Sequence, residues 1–402
     1  SRSDRYHIHR RLSQIPEARR GTSSCHFTRL ALAPWLLSVP PMRALLFAAL
    51  VMVGCRATPD LDATEGASFE VKGAPGGNGG LGEPSAALDA TGATGAAEGR
   101  SSSSSGTGAV AAGILTAGIW DDTLNFPLFT AWRDGLGATD RLADFTASEQ
   151  DAAAAAPLSA KSSLDIALVI DTTGSMGDEI DFLQAEFSAI SATLAAQYPG
   201  VPQRWALIDY KDTQDVYVLR GADFGTSVSW FQTKLDQMGA SGGGDFPEAP
   251  DRALAHATQL SWNPSPTAAK LIFWVADAPP HTENAAPFSA AVRGLRDLGV
   301  HVYPVASSGI DGPTEYAMRA TAQLTSGRYV FLTDDSGVGG SHREPSIPCY
   351  VVTRLDHAME RVVQSELAGA QVAVEPTHIL RTAGEPNAGQ CVLQTGATAT
   401  LF

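Results

Sequence analysis

The 402-residue sequence is poor in cysteine, since it has only four and no two of them are spaced as a CxxC pair. A zinc knuckle or a thioredoxin-type redox site is therefore not expected. No GxxxxGK[ST] phosphate-binding loop occurs in the sequence, which argues against a P-loop nucleotidase. The apolar run from Ala44 to Val53 is short. A helix needs about 20 such residues to cross a bilayer.

Positive charge is also scarce. The chain carries 43 Asp and Glu against 28 Lys and Arg, which gives a formal net charge of −15. Such an acidic body repels nucleic acid and the anionic head groups of membranes, so nucleic acid is not expected as a partner. The excess of carboxylates suits a divalent cation, although most surface acids only keep a protein soluble.

The first methionine is Met42, and the residues after it follow the order of an export signal. Arg43 is followed by the apolar run and then by a small residue before Cys55. This pattern predicts a signal peptide over residues 42–55. Residues 1–41 hold no methionine, and we expect them to be upstream sequence that does not belong to the natural product.

Residues 52–55 (MVGC) resemble the lipobox of bacterial lipoproteins. That resemblance implies that Cys55 becomes the first residue of the mature chain and carries a lipid anchor, the expected contact with a membrane. Arg56, in place of an Asp, implies retention in the outer membrane if the host is Gram-negative. The alternative is an ordinary secretory signal that happens to precede a cysteine.

Three further segments lie outside the main domain. Residues 56–108 are rich in Gly, Ala and Ser, and they cannot bury enough apolar surface to offset the entropy of ordering. We expect a flexible tether there. Residues 109–162 combine a short segment that is too aromatic for a solvated linker with a second spacer, and we expect this segment to dock on the main domain. Residues 368–402 alternate weakly and predict a small β extension.

In residues 163–367, short apolar stretches alternate with longer stretches of helical spacing. Leu164–Ile170 is nearly all apolar and rich in β-branched residues, as in a strand that is buried on both faces. Residues 178–198 place apolar side chains every three or four positions. The alternation predicts an α/β fold, a three-layer Rossmann-like open sheet, mostly parallel, with helices on both faces. Ligands of such sheets bind at the carboxyl ends of the strands.

Three predicted loops at that edge are rich in oxygen ligands: residues 171–175 (DTTGS), 241–248 (SGGGDFPE) and 277–281 (DAPPH). The Asp, Thr and Ser of the first loop alternate in a turn, so their side chains can converge on one point. Carboxylates and hydroxyls form an all-oxygen set that suits Mg²⁺, with Ca²⁺ or Mn²⁺ as alternatives, rather than zinc. An ion with few direct carboxylates keeps an open position for a partner's acidic group.

These motifs, in this order and each after the right element, resemble a von Willebrand factor type A domain over residues 163–367. The first motif matches that family's D-x-S/T-x-S, the centre of its metal-ion-dependent adhesion site. The resemblance implies that Asp171, Thr173 and Ser175 are ligands from the first loop. It also implies that Asp277 is the carboxylate of the third loop, bound directly or through water.

The second loop departs from the family's pattern, because it has no Thr between Gly239 and Glu248. Asp245 is the nearest oxygen donor and is the predicted ligand from this loop, with Ser241 as the fallback. Asp245 could instead cap the next helix. A carboxylate ligand here would lower the net positive charge of the ion and weaken its attraction for a partner's carboxylate.

The resemblance implies a binding module and not an enzyme: an anchored domain that captures a protein or surface polymer through a Mg- or Ca-bridged acidic group. The first alternative is a scaffold lipoprotein whose metal only stabilises loops, and the second is a metal-dependent hydrolase. A phosphatase of the haloacid-dehalogenase type needs a second carboxylate two residues after the first, where this chain has Thr173. Ser175 lies in GSMG, which is not a nucleophile elbow.

Cys349 and Cys391 are the cysteines that remain after Cys55 in an exported chain. Because export favours oxidation, we expect a disulfide that joins the C-terminal extension to the main domain. Two free, buried thiols are the alternative.

Overall fold

The computed structural model describes residues 65–73, 110–136, 145–154, 159–347 and 349–402. The predicted signal peptide with Cys55, and residues 1–41, lie outside these ranges. The strands in the described ranges are β1 Ser68–Val71, β2 Thr116–Trp120, β3 Ser163–Asp171, β4 Gln203–Tyr210, β5 Leu219–Gly225, β6 Ala268–Ala276, β7 His301–Ala306, β8 Tyr329–Leu332, β9 Tyr350–Arg354, β10 Arg381–Ala383, β11 Gln390–Val392 and β12 Thr398–Thr400. The α-helices there are α1 Phe126–Gly135, α2 Ala147–Ala154, α3 Ile180–Gln197, α4 Val228–Leu235, α5 Pro250–Ala257, α6 Ala285–Asp297, α7 Gly312–Leu324 and α8 Leu355–Ala368.

Ten strands of the described part of the chain form one mixed sheet in the order β1-β5-β4-β3-β6-β7-β8-β2-β9-β10. The central strands β4, β3, β6, β7 and β8 are parallel, and the strands on both sides of them join antiparallel. With β3 counted as the first, β3 to β8 lie in the order 3-2-1-4-5-6 of a doubly wound sheet. The predicted α/β fold class is therefore confirmed. The order reverses between β3 and β6, and this opens a crevice at their carboxyl ends.

Helices cover both faces of the central strands, which explains the unbroken apolar run of β3. Ile166, Leu168 and Ile170 belong to the core that includes α3, α4 and α8. Ala167 and Val169 point to the opposite core, which includes α5, α6 and α7. Since successive side chains of a strand alternate between faces, a strand between two helical layers has no polar face.

The aromatic segment that precedes the main domain is an integral part of the sheet. Strand β2 lies between β8 and β9 and pairs antiparallel with both. Trp120 is 1% exposed, and Phe129 of α1 is completely buried in the same core. The segment thus docks on the main domain, but as an internal strand, so the folded unit extends well before the boundary predicted at residue 163.

Strand β1 comes from the segment expected to be a tether. It pairs antiparallel with β5 at one edge of the sheet. The expectation that residues 56–108 form only a flexible tether is therefore wrong for Ser68–Val71. Four residues with a single Phe give too weak an alternation to stand out in a Gly- and Ala-rich stretch.

The C-terminal extension is a small β addition. Strand β10 pairs with β9 at the other edge of the sheet, and β11 and β12 form a separate antiparallel pair. Cys391 in β11 is bonded to Cys349, which precedes β9, and their Cα atoms are 6.1 Å apart. This bond ties the extension to the main sheet. No helix in the described ranges is both long enough and apolar enough to cross a membrane.

Candidate metal-binding site

The first site loop follows β3 and begins at Asp171, which is completely buried. Its Oδ1 atom accepts hydrogen bonds from N and Oγ1 of Thr173, at 2.9 and 2.7 Å. The hydroxyl oxygen of Thr173 lies 3.2 Å from that of Ser175. Three predicted ligands therefore bring their oxygen atoms together, and the exposed Ser175 leaves this group open to solvent.

The third site loop follows β6, the neighbour of β3, and begins at Asp277. Asp277 is 4% exposed and accepts a hydrogen bond from the hydroxyl of Ser175. Among the described residues, neither Asp277 Oδ1 nor Asp171 Oδ2 has a hydrogen-bond donor. Because buried polar atoms are almost always paired, two such carboxylate oxygens beside hydroxyl groups fit a bound cation.

The second site loop offers a different carboxylate from the one predicted. Asp245 is exposed, and it does not cap a helix, because Ala249 holds the N-cap position of α5. Glu248 is 3% exposed, and its Oε2 atom has no donor in the described part of the chain. Glu248 therefore replaces Asp245 as the buried carboxylate of this loop, and Ser241, the fallback, is exposed as well.

Backbone contacts fasten the second loop to the other two. The N–H of Glu248 donates to the carbonyl oxygen of Pro279 in the third loop at 3.0 Å. The N–H of Gly174 in the first loop donates to the carbonyl oxygen of Gly242, also at 3.0 Å. A Cβ on Gly243 would lie 3.1 Å from Glu248 Oε1 and 3.2 Å from Cβ of Thr173. The Glu248 carboxylate therefore lies beside the first loop.

The three buried carboxylates repel one another. Burial raises the pKa of Asp171 to about 7, and the charge of Asp277 is the second largest cause of this rise. Burial likewise raises the pKa of Asp277 to about 6. Burial raises the pKa of Glu248 to about 9, and the charge of Asp171 is the second largest cause of this rise. A divalent cation would relieve this repulsion, because an opposite charge nearby favours the ionised form of a carboxyl group.

Any cation here would be bound by hydroxyl oxygens as well as by carboxylates. Within the described ranges, no three Asp, Glu, His or Cys side chains form a metal-binding group on their own. A cation would therefore depend on Thr173 and Ser175 as well as on the carboxylates. This mixture of oxygen donors suits a hard cation such as Mg²⁺ or Ca²⁺.

Residues 165–294 contain all three site loops, and they match the sequence model of the von Willebrand factor A domain. The chain contains a von Willebrand factor A domain. Together with the strand order and the loops at the switch point, this match accounts for the central part of the fold. The strands β1, β2 and β7 to β12 of this chain lie outside the matched residues.

Two known proteins are similar to part of this chain. An ariadne-like RING finger protein of Acanthamoeba polyphaga mimivirus is 29% identical over 123 residues, which are 31% of this chain and 12% of that protein. The chain thus spans only a small part of that relative. The conserved hypothetical protein BatB from Bacteroides thetaiotaomicron is 14% identical, with a TM-score of 0.32 over 42% of this chain and 89% of BatB.

Two buried residues beside the candidate site were not predicted from the sequence. Glu248 ends the glycine-rich motif of the second loop, and its place directly before a helix was the available signal. Lys211 directly follows β4, so it lies at the same edge of the sheet as Asp171, and it is 1% exposed. Burial lowers the pKa of Lys211, while Asp215 and Asp171 oppose that shift. A buried lysine cannot be recognised from its neighbours in the sequence.

Proposed function

We propose that this von Willebrand factor A domain is a metal-dependent binding module. The observation that carries the proposal is the pair of buried oxygen atoms, Asp171 Oδ2 and Asp277 Oδ1, that lack donors among the described residues at the switch point of the sheet. Mg²⁺ fits such a set, with Ca²⁺ or Mn²⁺ as alternatives. The residues that would hold the cation are Asp171, Thr173, Ser175 and Asp277, with the Glu248 carboxylate beside the first loop.

The bound cation would supply a positive charge that can accept an oxygen atom from a partner. Domains of this family generally act as protein-interaction modules. Ser175 is exposed at the rim of the site, so a partner can reach the cation from solvent. We infer that the partner is a protein or a surface polymer that offers an acidic group.

We propose no catalytic role for the site. A phosphatase that used Asp171 would need an acid–base group two residues later, but that residue is Thr173. The Thr173 hydroxyl donates its hydrogen bond to Asp171 at 2.7 Å, so it positions the carboxylate. A hydroxyl group of ordinary acidity is a poor proton donor or acceptor near neutral pH.

Calorimetric titration of the EDTA-treated protein with MgCl₂, CaCl₂ and MnCl₂ tests the cation site. We expect saturable binding to the wild type and none to Asp171→Asn, since Asn keeps the Oδ1 acceptor but removes the charge. Asp245→Asn is the matched control, because Asp245 is exposed on the second loop, and it should bind as the wild type does. Equal affinity of Asp171→Asn and the wild type would refute the site.

A pull-down from cell-envelope extract, with Mg²⁺ or with EDTA, tests the binding role. We expect capture of a partner only with Mg²⁺, and no capture by Asp171→Asn. Cation binding without metal-dependent capture would favour a scaffold whose metal stabilises the loops. Turnover of a generic phosphate or ester substrate by the wild type, lost in Asp171→Asn, would favour a hydrolase.

We also propose that Cys55 anchors the chain to the outer membrane of a Gram-negative cell. The support is the lipobox-like order of residues 52–55 in the sequence. Metabolic labelling with a radioactive fatty acid should label the wild type and not Cys55→Ser. Equal labelling of both proteins would contradict the anchor.

A further inference from the structure

The loop between β4 and β5, residues 211–218, contacts all three site loops. Its first residue, Lys211, is buried, and Nζ donates to the backbone carbonyl oxygen of Thr172 in the first site loop and of Ser241 in the second. The hydroxyl oxygen of Tyr217 lies 2.9 Å from Oγ1 of Thr172. The β4–β5 loop therefore fixes the first site loop relative to the second.

Two carboxylates of the β4–β5 loop complete these contacts. Asp212 Oδ1 lies 2.7 Å from Nε2 of His281 in the third site loop. Asp215 Oδ2 accepts a hydrogen bond of 3.0 Å from the N–H of Gly243 in the second. None of these residues belongs to the ligand set given above. Their role is to set the spacing of the loops that carry the ligands, as the outer hydrogen bonds of a metal site do.

Strand β1 in turn holds the β4–β5 loop. It pairs with β5 over four residues, and the carbonyl oxygen of Val71 accepts a hydrogen bond of 2.8 Å from the N–H of Val218. Gly73 lies so close to the loop that a Cβ on it would be 1.8 Å from the carbonyl oxygen of Asp215. Any side chain at residue 73 would therefore push β1 and the loop apart.

Strand β1 itself is only weakly attached to the sheet. Three of its four residues are exposed, and it pairs with one neighbour at the edge of the sheet. The ring of Phe69 packs against that of His256 with centroids 4.2 Å apart, and Lys234 Nζ donates to Ser68 Oγ at 3.0 Å near the surface. Edge elements with little buried apolar surface open at a lower free energy than the core does.

We propose that docking of strand β1 sets the affinity of the site for its cation through the β4–β5 loop. The inference rests on the proposed function, because it concerns the same cation. Docked β1 keeps Lys211, Asp212 and Asp215 in place, and these hold the three site loops at the spacing that the ligands need. Because coupling between two binding events is reciprocal, the bound cation strengthens the docking of β1 by the same factor.

The Gly73→Val variant of the full chain tests this coupling. We expect its affinity for Mg²⁺ or Ca²⁺ in calorimetric titration to fall about tenfold, as for loss of an outer-shell contact of a metal site. Hydrogen exchange should become faster in β1 and in residues 211–218. In the wild type, saturating cation should slow exchange in β1. Lys72→Met is the matched control, since Lys72 is exposed on the same segment, and it should behave as the wild type does.

The possible outcomes distinguish a failure of this inference from a failure of the proposed function. Wild-type affinity in a Gly73→Val protein whose β1 exchanges fast would overturn the coupling and leave the cation site intact. If the wild type bound none of the three cations, the proposed function would be overturned, and the inference that rests on it would be overturned as well. Phe69→Ser releases β1 without a steric clash, so it repeats the test if Gly73→Val does not fold. Unchanged exchange in residues 211–218 of that variant would also count against the coupling.

Discussion

The Nε2 atom of His342 lies 3.1 Å from Oε1 of Glu179, and both side chains are 1% exposed. On its other side, Nδ1 of His342 lies 2.9 Å from Oδ1 of Asp334. The same oxygen atom of Glu179 accepts a hydrogen bond from the N–H of Ser308. These contacts tie the loop after β8 to the beginning of α3, directly after the first site loop.

The pair makes the stability of the protein depend on pH. Burial alone would lower the pKa of His342, but the contacts with Glu179 and Asp334 outweigh it and raise the pKa above 6.5. The pKa is higher in the folded chain than in the unfolded one. The stabilisation is therefore complete below about pH 6.5 and is lost as the pH rises through the folded pKa. Urea unfolding at a series of pH values should show this loss in the wild type. His342→Gln should show a smaller loss, because the raised pKa values of Asp171 and Glu248 still contribute to it. An equal slope in both proteins would contradict the assignment.

Lys211 should contribute more to stability than its single charge suggests. Lys211→Met removes the buried charged donor that bridges the carbonyl oxygens of Thr172 and Ser241. We expect the free energy of unfolding to fall by about 1.5–3 kcal/mol, the usual contribution of hydrogen bonds that involve a charged group. The carbonyl oxygen of Thr172 keeps a second donor, the N–H of Ser241 at 3.0 Å. Lys161→Met is the control, since Lys161 also donates to a carbonyl oxygen but in a solvent-exposed hydrogen bond, and it should change the value by less than about 0.5 kcal/mol. If urea titrations gave a similar loss of unfolding free energy for both variants, the burial of Lys211 would not explain its contribution to stability.

The disulfide should stabilise the chain by limiting its unfolded state. Cys349 and Cys391 are 42 residues apart in the sequence. The chain-entropy relation then gives roughly 4 kcal/mol, which the double variant Cys349→Ala with Cys391→Ala should lose. Urea unfolding with and without reductant measures this difference. Alkylation of Cys349 and Cys391 themselves by iodoacetamide in the native, unreduced protein, located by peptide mapping, would show that the bond does not form.

Gly118 tests whether β2 belongs to the core. A Cβ on Gly118 would lie 2.2 Å from the ring of Phe331, which is completely buried. Gly118→Ala should lower the free energy of unfolding by about 1–3 kcal/mol, as overpacking of a core does. Gly135→Ala, in the same segment with nothing within 4 Å, should be neutral or slightly stabilising. Thermal melts of the two variants measure this difference, and equal melting temperatures would mean that β2 does not belong to the core.

Much of the central fold was predictable from local pattern. Strands β3 and β6 are long apolar runs because helices bury both of their faces, so the run itself identifies them. Strand β2, with the sequence TAGIW, has neither a long run nor a regular alternation. Its position between β8 and β9 follows from long-range pairing, which a window of a few residues does not contain.

The sequence by itself determined that Asp171, Thr173 and Ser175 meet, because alternate residues of one turn have few ways to stay apart. It also placed Asp277 at the same edge, since parallel neighbouring strands end together. Only the tertiary structure shows that Glu248 is buried beside the first site loop while Asp245 is exposed. Gly242 and Gly243 adopt positive φ angles of 75° and 77°. Asp215 of the β4–β5 loop accepts a hydrogen bond from Gly243 in this turn, a long-range contact that the local sequence does not contain.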